Sequence, residues 1–300
     1  MRKGIFTIIV LSLSFTVLSC SDREGESAMV SNNTERIETV QKLTQRLREY
    51  DKETSTCATY NTESIKRLPK PEFTTMDKAK IAMADVLGCI RGSAGGILGV
   101  VVGGVTQSLY KGIKIYLWKN FKAWIKGYFR NNLVIGVNGD ATLEDSVGYY
   151  HNIAEYELYS KFGADSTISK ERMIQACDSV MRAESAGYAA AGGLSSTMMS
   201  EIGSRIEAAM AIDDRNIDLE AYCNKLKECY PQDSDYIDFM AEFIFTAYYG
   251  NVDVAQYTEQ VMFMVRNSNL NVGDSNLLCN CLRIAYASII YNDNVEITEN

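Results

Sequence analysis

His151 is the only imidazole in the chain. Any general-base, metal-ligand or Cys–His nucleophile chemistry that needs a histidine must therefore run through it. Seven thiols follow the N-terminal segment: Cys57, Cys89, Cys177, Cys223, Cys229, Cys279 and Cys281. Nothing in the spacing selects one as a partner for His151. Cys279-Asn280-Cys281 and the Cys223/Cys229 pair could gather four thiolates. Neither has the two-residue gap usual in zinc sites, and no HExxH-type pattern surrounds the histidine. Buried cysteines acting as small apolar residues, or one or two disulfides, account for the set better, and an odd number leaves at least one thiol over. No catalytic residue, metal or cofactor is expected.

An eighth thiol has a different chemistry. Arg2 and Lys3 precede an uncharged stretch from Gly4 to Leu18, the length of a signal-peptide apolar region and too short to span a ~30 Å hydrocarbon core. It closes on Val17-Leu18-Ser19-Cys20, which resembles the lipobox of bacterial lipoproteins. That resemblance implies removal of residues 1–19 and acylation of Cys20, whose lipid would hold the chain on a bilayer at about 0.8 kcal/mol per buried methylene. Ser21 after the cysteine resembles an outer-membrane sorting state, and the acidic residues behind it resemble surface-export signals. Residues 20–33 are polar and acidic, and read as a disordered tether.

A second resemblance lies around the histidine. Asp145, Gly148, His151 and Asn152 match a block, Asp-x-x-Gly-x-x-His-Asn, that recurs in uncharacterised bacterial proteins, many of them lipoproteins with a helical C-terminal part. A glycine-zipper segment often precedes it. The resemblance implies no activity. Physically, Asp145, Gly148 and Asn152 share one helix face, and Gly148 would let another element approach. His151 and Asn152 would then bond exposed backbone groups, such as a helix end or the turn at 131–140. The alternative makes His151 a base or a metal ligand.

Glycine is concentrated just upstream. Ala84, Gly88, Gly92 and Gly96 form one four-residue row, and Gly95, Gly99 and Gly103 form another. On a helix each row is a groove that a second backbone can enter. Interior glycines cost about 1 kcal/mol each against alanine, so close packing or lipid must compensate. Residues 84–104 are read as a glycine-zipper helix, either buried as a hairpin that breaks near Gly95-Gly96 or inserted in a membrane. Residues 108–130 follow as an amphipathic helix: Lys111, Lys114, Lys119, Lys122, Lys126 and Arg130 oppose Ile113, Leu117, Phe121, Trp124 and Tyr128. Such a helix packs its apolar side on the protein or lays its basic face, Lys111–Arg130, on an anionic membrane.

The rest is helical in pattern, with helices expected at 34–51, from about 75, at 142–162, 168–184, 196–211, 217–229, 234–249, 254–267 and 275–291. Asp218, Asp233 and Ser275 are the expected caps, and Gly163 and Gly250 the expected stops. No segment alternates convincingly as a strand. Only 3 prolines in 300 residues permit long helices, and the 46% hydrophobic share suits a folded protein. Residues 131–300 hold 10 Lys+Arg against 26 Asp+Glu, while residues 1–130 hold 20 against 12. The expected fold is all-α: a basic N-terminal helical region (34–130), then an acidic bundle (138–300). The expected function is an envelope lipoprotein acting as a non-catalytic binding or scaffold module. The alternative is a membrane-active, toxin- or bacteriocin-like protein that inserts residues 84–130. Export and a net charge of −8 argue against nucleic acid as a partner.

Overall fold

Hydroxyl and carboxylate side chains start most of the helices. Thr74 and Asp77 form a reciprocal capping box: Asp77 N–H donates to Thr74 Oγ1 (3.2 Å) and Thr74 N–H to Asp77 Oδ2 (2.7 Å). From it α2 runs over Thr75–Gly92. Ser169, Ser195, Asp218 and Asp253 cap α5 (Lys170–Glu184), α7 (Ser196–Met210), α8 (Leu219–Cys229) and α10 (Val254–Arg266), each accepting one backbone N–H at its side-chain oxygen. Gly250 ends α9 (Ser234–Tyr249). The other elements are α1 (Arg23–Ser55), α3 (Gly96–Trp118), β1 (Ala123–Lys126), α4 (Val147–Phe162), the short α6 (Ala186–Ala190), α11 (Val272–Asn294) and β2 (Glu296–Glu299).

This computed structural model describes residues 23–55, 73–118, 123–126, 147–162, 167–190, 192–294 and 296–299. It is an all-α multi-helix bundle with one two-stranded antiparallel ribbon, in which Trp124 faces Thr298 and Ile125 faces Ile297. Residues Met1–Glu35 group as one unit and Arg36–Asn300 as a second. The second unit merges what the charge asymmetry divides at 130/138, because α2 packs against α3, α7, α8, α9 and α11. Every residue of α2 from Ala79 to Ile90 is buried. A helix apolar all round belongs at the centre of a bundle.

Three expectations change. The helix expected from Thr34 begins at Arg23, so the part of the tether from Arg23 to Asn33 is helical. The zipper segment is two helices: α2 ends at Gly92, a 3₁₀ turn spans Ser93–Gly95, and α3 begins at Gly96 with φ of 63°, a left-handed conformation that favours glycine. The amphipathic helix expected over 108–130 stops at Trp118, and residues 123–126 pair as a strand with 296–299.

Candidate functional site

The two glycine rows face each other across the α2–α3 hairpin. A Cβ on Gly88 would fall on the carbonyl oxygen of Gly103, and one on Gly103 on that of Gly88. Gly92 and Gly99 stand in the same mutual relation. The backbones therefore cross with no room for a single methyl group. Ala84 continues the α2 row and is fully buried. Gly95 meets only side chains at ordinary distance (Leu194, Met198 and Ile202, 3.5–3.6 Å), and Gly96 has open space. The Thr75–Ile115 stretch is long and apolar enough to cross a membrane, yet 67% of its most apolar part is buried inside the protein.

The histidine block docks against this hairpin. At Gly148 a Cβ would stand 3.1 Å from Arg283 O and from Ala287 Cβ, so glycine lets α4 press on the α11 backbone. One residue pair along, Asn152 Nδ2 donates to Ala287 O (3.1 Å). That bond turns the amide so that Asn152 Oδ1 faces His151 Nδ1 at 3.0 Å, and an amide oxygen can only accept, so Nδ1 carries a proton. The other ring nitrogen, Nε2, lies 2.7 Å from Asp85 Oδ1 on α2. Glu155, one turn on, completes the group: its Oε2 is 3.9 Å from Nδ1, and Ser108 of α3 donates to its Oε1 at 3.2 Å. Gly104 makes room, since a Cβ there would sit 3.6 Å from the imidazole Cδ2 and 3.2 Å from Asp85 O.

Asp85, Ser108, His151, Asn152 and Glu155 are all 0% exposed. Burial by itself drives the imidazole toward its neutral form. The adjacent Asp85 charge and the hydrogen bond to it, helped by Glu155, override this and raise His151 to about 9. Glu155 is raised to about 8, first by burial and then by the Asp85 charge, against the opposing pull of His151 and Ser108. Both shifts favour the proton-bound forms, an imidazolium beside Asp85 and a neutral Glu155 carboxyl. Both ring nitrogens are engaged, and no face of the ring meets solvent. What this arrangement does chemically is join α2, α3, α4 and α11.

A second polar cluster lies on the far part of α3. Lys111 Nζ contacts Asp214 Oδ2 and stands 4.0 Å from the centre of the Tyr222 ring. Lys80 Nζ donates to Asp214 O (3.0 Å) and is 3.8 Å from Asp214 Oδ2. Lys114 Nζ donates to Met210 O (3.2 Å) and Ile212 O (2.6 Å). Burial lowers Lys111 to about 8, in spite of Asp214. Of the basic face expected over Lys111–Arg130, the first two members, Lys111 and Lys114, turn inward to the chain that joins α7 and α8. They do so because the last turn of α7 and Asp214 offer carbonyls and a carboxylate. Lys119, Lys122 and Arg130 lie outside the described residues.

An open concave feature lies elsewhere. A groove of about 780 Å³ between α7 and the α8–α9 link is lined by Ser196, Ser200 and Ser204 on one helix face, with Arg91 and Arg205 among its other residues. Arg91 donates to Asp233 Oδ2 (2.6 Å) and its guanidinium lies 4.7 Å from the Tyr230 ring centre, while Arg205 pairs with Glu201. The groove mixes polar and apolar surface, and its arginines are paired with Asp233 and Glu201.

Of the residues singled out in the sequence, the structure brings His151 against the glycine hairpin, and Gly148 and Asn152 against α11. Cys20 and Asp145 lie outside the described residues. Sequence reasoning missed Asp85, Ser108, Glu155 and Gly104. Asp85 had a signal: it is a lone carboxylate in an apolar stretch between Lys80 and Arg91, and a buried carboxylate requires a partner. Among the described residues no group of three or more His, Cys, Asp or Glu is arranged to hold a metal ion. The fold and this site define a class, an all-α bundle built on a glycine hairpin with a sealed histidine–carboxylate cluster. Comparison with known proteins returned no matching family model, no matching curated protein and no matching solved structure.

Proposed function

We propose that the chain is a lipid-anchored protein of the bacterial cell envelope, on the outer membrane, whose unit Arg36–Asn300 is a non-catalytic binding or scaffold module. The observation that carries the non-catalytic reading is His151. It is the chain's one histidine, it is 0% exposed, and both its nitrogens are taken by Asp85 and Asn152. A catalytic base needs a nitrogen within reach of substrate. The anchoring follows from the lipobox-like Val17–Cys20 and the short apolar stretch before it. The burial of the glycine hairpin favours a unit that rests beside the bilayer over one that inserts residues 84–130. The serine-lined groove on α7 is the concave surface such a module would offer.

Metabolic labelling with radioactive palmitate tests the anchor. Wild type is expected to take up label and the Cys20→Ala chain none; an unlabelled wild type recovered in culture fluid overturns it. The Cys20→Ala chain lacking residues 1–19 is expected to leave dye-loaded anionic liposomes intact. Dye release would favour the membrane-active reading instead.

A further inference from the structure

We infer that Cys89 and Cys281 are joined in the mature protein by a disulfide that bolts α2 to α11. Their Sγ atoms are 3.1 Å apart across the two helices, and both residues are buried, at 0% exposure. A disulfide needs about 2.05 Å between sulfurs, so closure asks for a movement of roughly 1 Å, within what side-chain rotation and small helix shifts allow. The two residues are 192 apart in sequence, so the contact is made by the fold and not by chance neighbourhood. Among the described residues no other thiol is hydrogen-bonded to a thiol: Cys177, Cys223 and Cys279 are buried singly and Cys229 is partly exposed. Bare thiols facing each other in a dry core gain little, because S–H is a weak donor and sulfur a weak acceptor.

The step is a thiol–disulfide exchange with a disulfide oxidant, R–S–S–R. One cysteine thiolate attacks a sulfur of the oxidant and expels R–S⁻, leaving a mixed disulfide. The second thiolate then attacks the cysteine sulfur of that mixed disulfide and expels the second R–S⁻. The two cysteine protons end on two R–SH molecules, and the two electrons from the cysteines reduce the oxidant. Burial raises the Cys89 thiol well above its usual range, so the exchange belongs to a stage of folding before α11 covers α2. The envelope placement proposed above supplies this class of oxidant in the cell; the geometry stands without it.

The test uses the full chain, reduced and unfolded, then refolded with oxidised glutathione, or with reduced glutathione alone as control. After alkylation with iodoacetamide in denaturant, the oxidised product is expected to carry two fewer carbamidomethyl groups per bond than the control and to give a Cys89–Cys281 linked peptide that disappears on reduction. It should unfold at a higher urea concentration than the control. Cys281→Ala should lose the linked peptide and the difference between oxidised and reduced samples. Should that variant fail to fold, the wild-type peptide map decides. Recovery of Cys89 and Cys281 both alkylated after oxidative refolding, or of Cys89 linked to a different cysteine, overturns the inference. None of these readouts depends on lipid or location, so a failed palmitate experiment would leave them standing.

Discussion

Gly88→Ala is the sharpest probe of the hairpin, because two known effects oppose each other there. In a free helix the substitution stabilises by about 1 kcal/mol, through backbone entropy and solvation. In this structure the new methyl would fall on the carbonyl oxygen of Gly103, close to Gly103 C and to Gly104 Cα at 2.8 Å. All three atoms are backbone, so no side chain can swing aside. Overpacking a core costs roughly 1–3 kcal/mol, and a rigid neighbour places this case near the top. The net is a loss of about 2 kcal/mol, or roughly 30-fold in the folded-to-unfolded ratio. With a urea slope of about 2–3 kcal/mol/M for a chain of this size, the midpoint should fall by roughly 0.7–1 M. Urea titration followed by far-UV circular dichroism, on the chain lacking residues 1–19 with Cys20→Ala, reads this directly. Gly95→Ala is the control, since its methyl would meet only Leu194, Met198 and Ile202 side chains at 3.5–3.6 Å; its midpoint should move little. A double change at Gly88 and Gly103 should cost less than the two singles together, since the first already parts the helices. A Gly88→Ala protein as stable as wild type, or more so, would refute the close crossing and everything hung on it.

Stability should also fall as the solution becomes alkaline. His151 at about 9 and Glu155 at about 8 both lie above their unfolded values, so the native state holds extra protons, about one for His151 between pH 6.5 and 9. Stability from His151 is whole below pH 6.5 and is lost as pH rises through about 9, while that from Glu155 declines from pH 4.5 to about 8. Lys111, lowered to about 8, works in the opposite direction only above that pH. Urea midpoints should therefore decline from pH 6 to 8, and His151→Gln should flatten the curve; an unchanged slope would place the imidazole proton elsewhere. In the second cluster, Asp214→Ala strips the carboxylate from between Lys80 and Lys111. Breaking a buried pair costs about 3 kcal/mol or more, so the melting temperature should drop by roughly 10 °C, and Lys111→Met in the same chain should restore part of it. A drop within a degree or two would mean that water reaches these lysines.

Local chemistry was legible and long-range chemistry was not. The boundaries of α5 and α7 to α10 follow from caps and stops that act within four residues: Ser169, Ser195, Asp218, Asp253 and Gly250. Asp233 was expected to cap α9 with its side chain, but it binds Arg91, 142 residues away, and Ser275 was expected to cap α11, which begins three residues earlier at Val272. Asp233 gives up the cap for a distant partner, while Asn271 Oδ1 takes the place of Ser275 by accepting from Asp274 N–H. The strand at Ala123–Lys126 was hidden by a lysine–aromatic pattern that suits a helix equally well. Its cross-strand partners Ile297 and Thr298 lie at the opposite end of the chain, and strand preference is decided by such partners more than by the segment itself.

Asp85, Gly104 and His151 explain why a glycine hairpin and a histidine block occur together in one chain. The Gly88–Gly103 and Gly92–Gly99 crossings bring α2 and α3 so close that nothing fits between them. Three residues before Gly88, Asp85 is then committed to a dry interior, where an unpaired carboxylate is very costly. A third helix must deliver a cation that reaches it without parting the pair. Gly104 leaves the gap on α3, Gly148 brings α4 tight against α11, and Asn152 fixes the ring by holding Nδ1–H while its own amide grips Ala287 O. Lysine or arginine would carry a longer stem, whereas imidazolium needs two acceptors and finds them in Asp85 and Asn152. Gly148, His151 and Asn152 are therefore the lock that the zipper's own carboxylate requires.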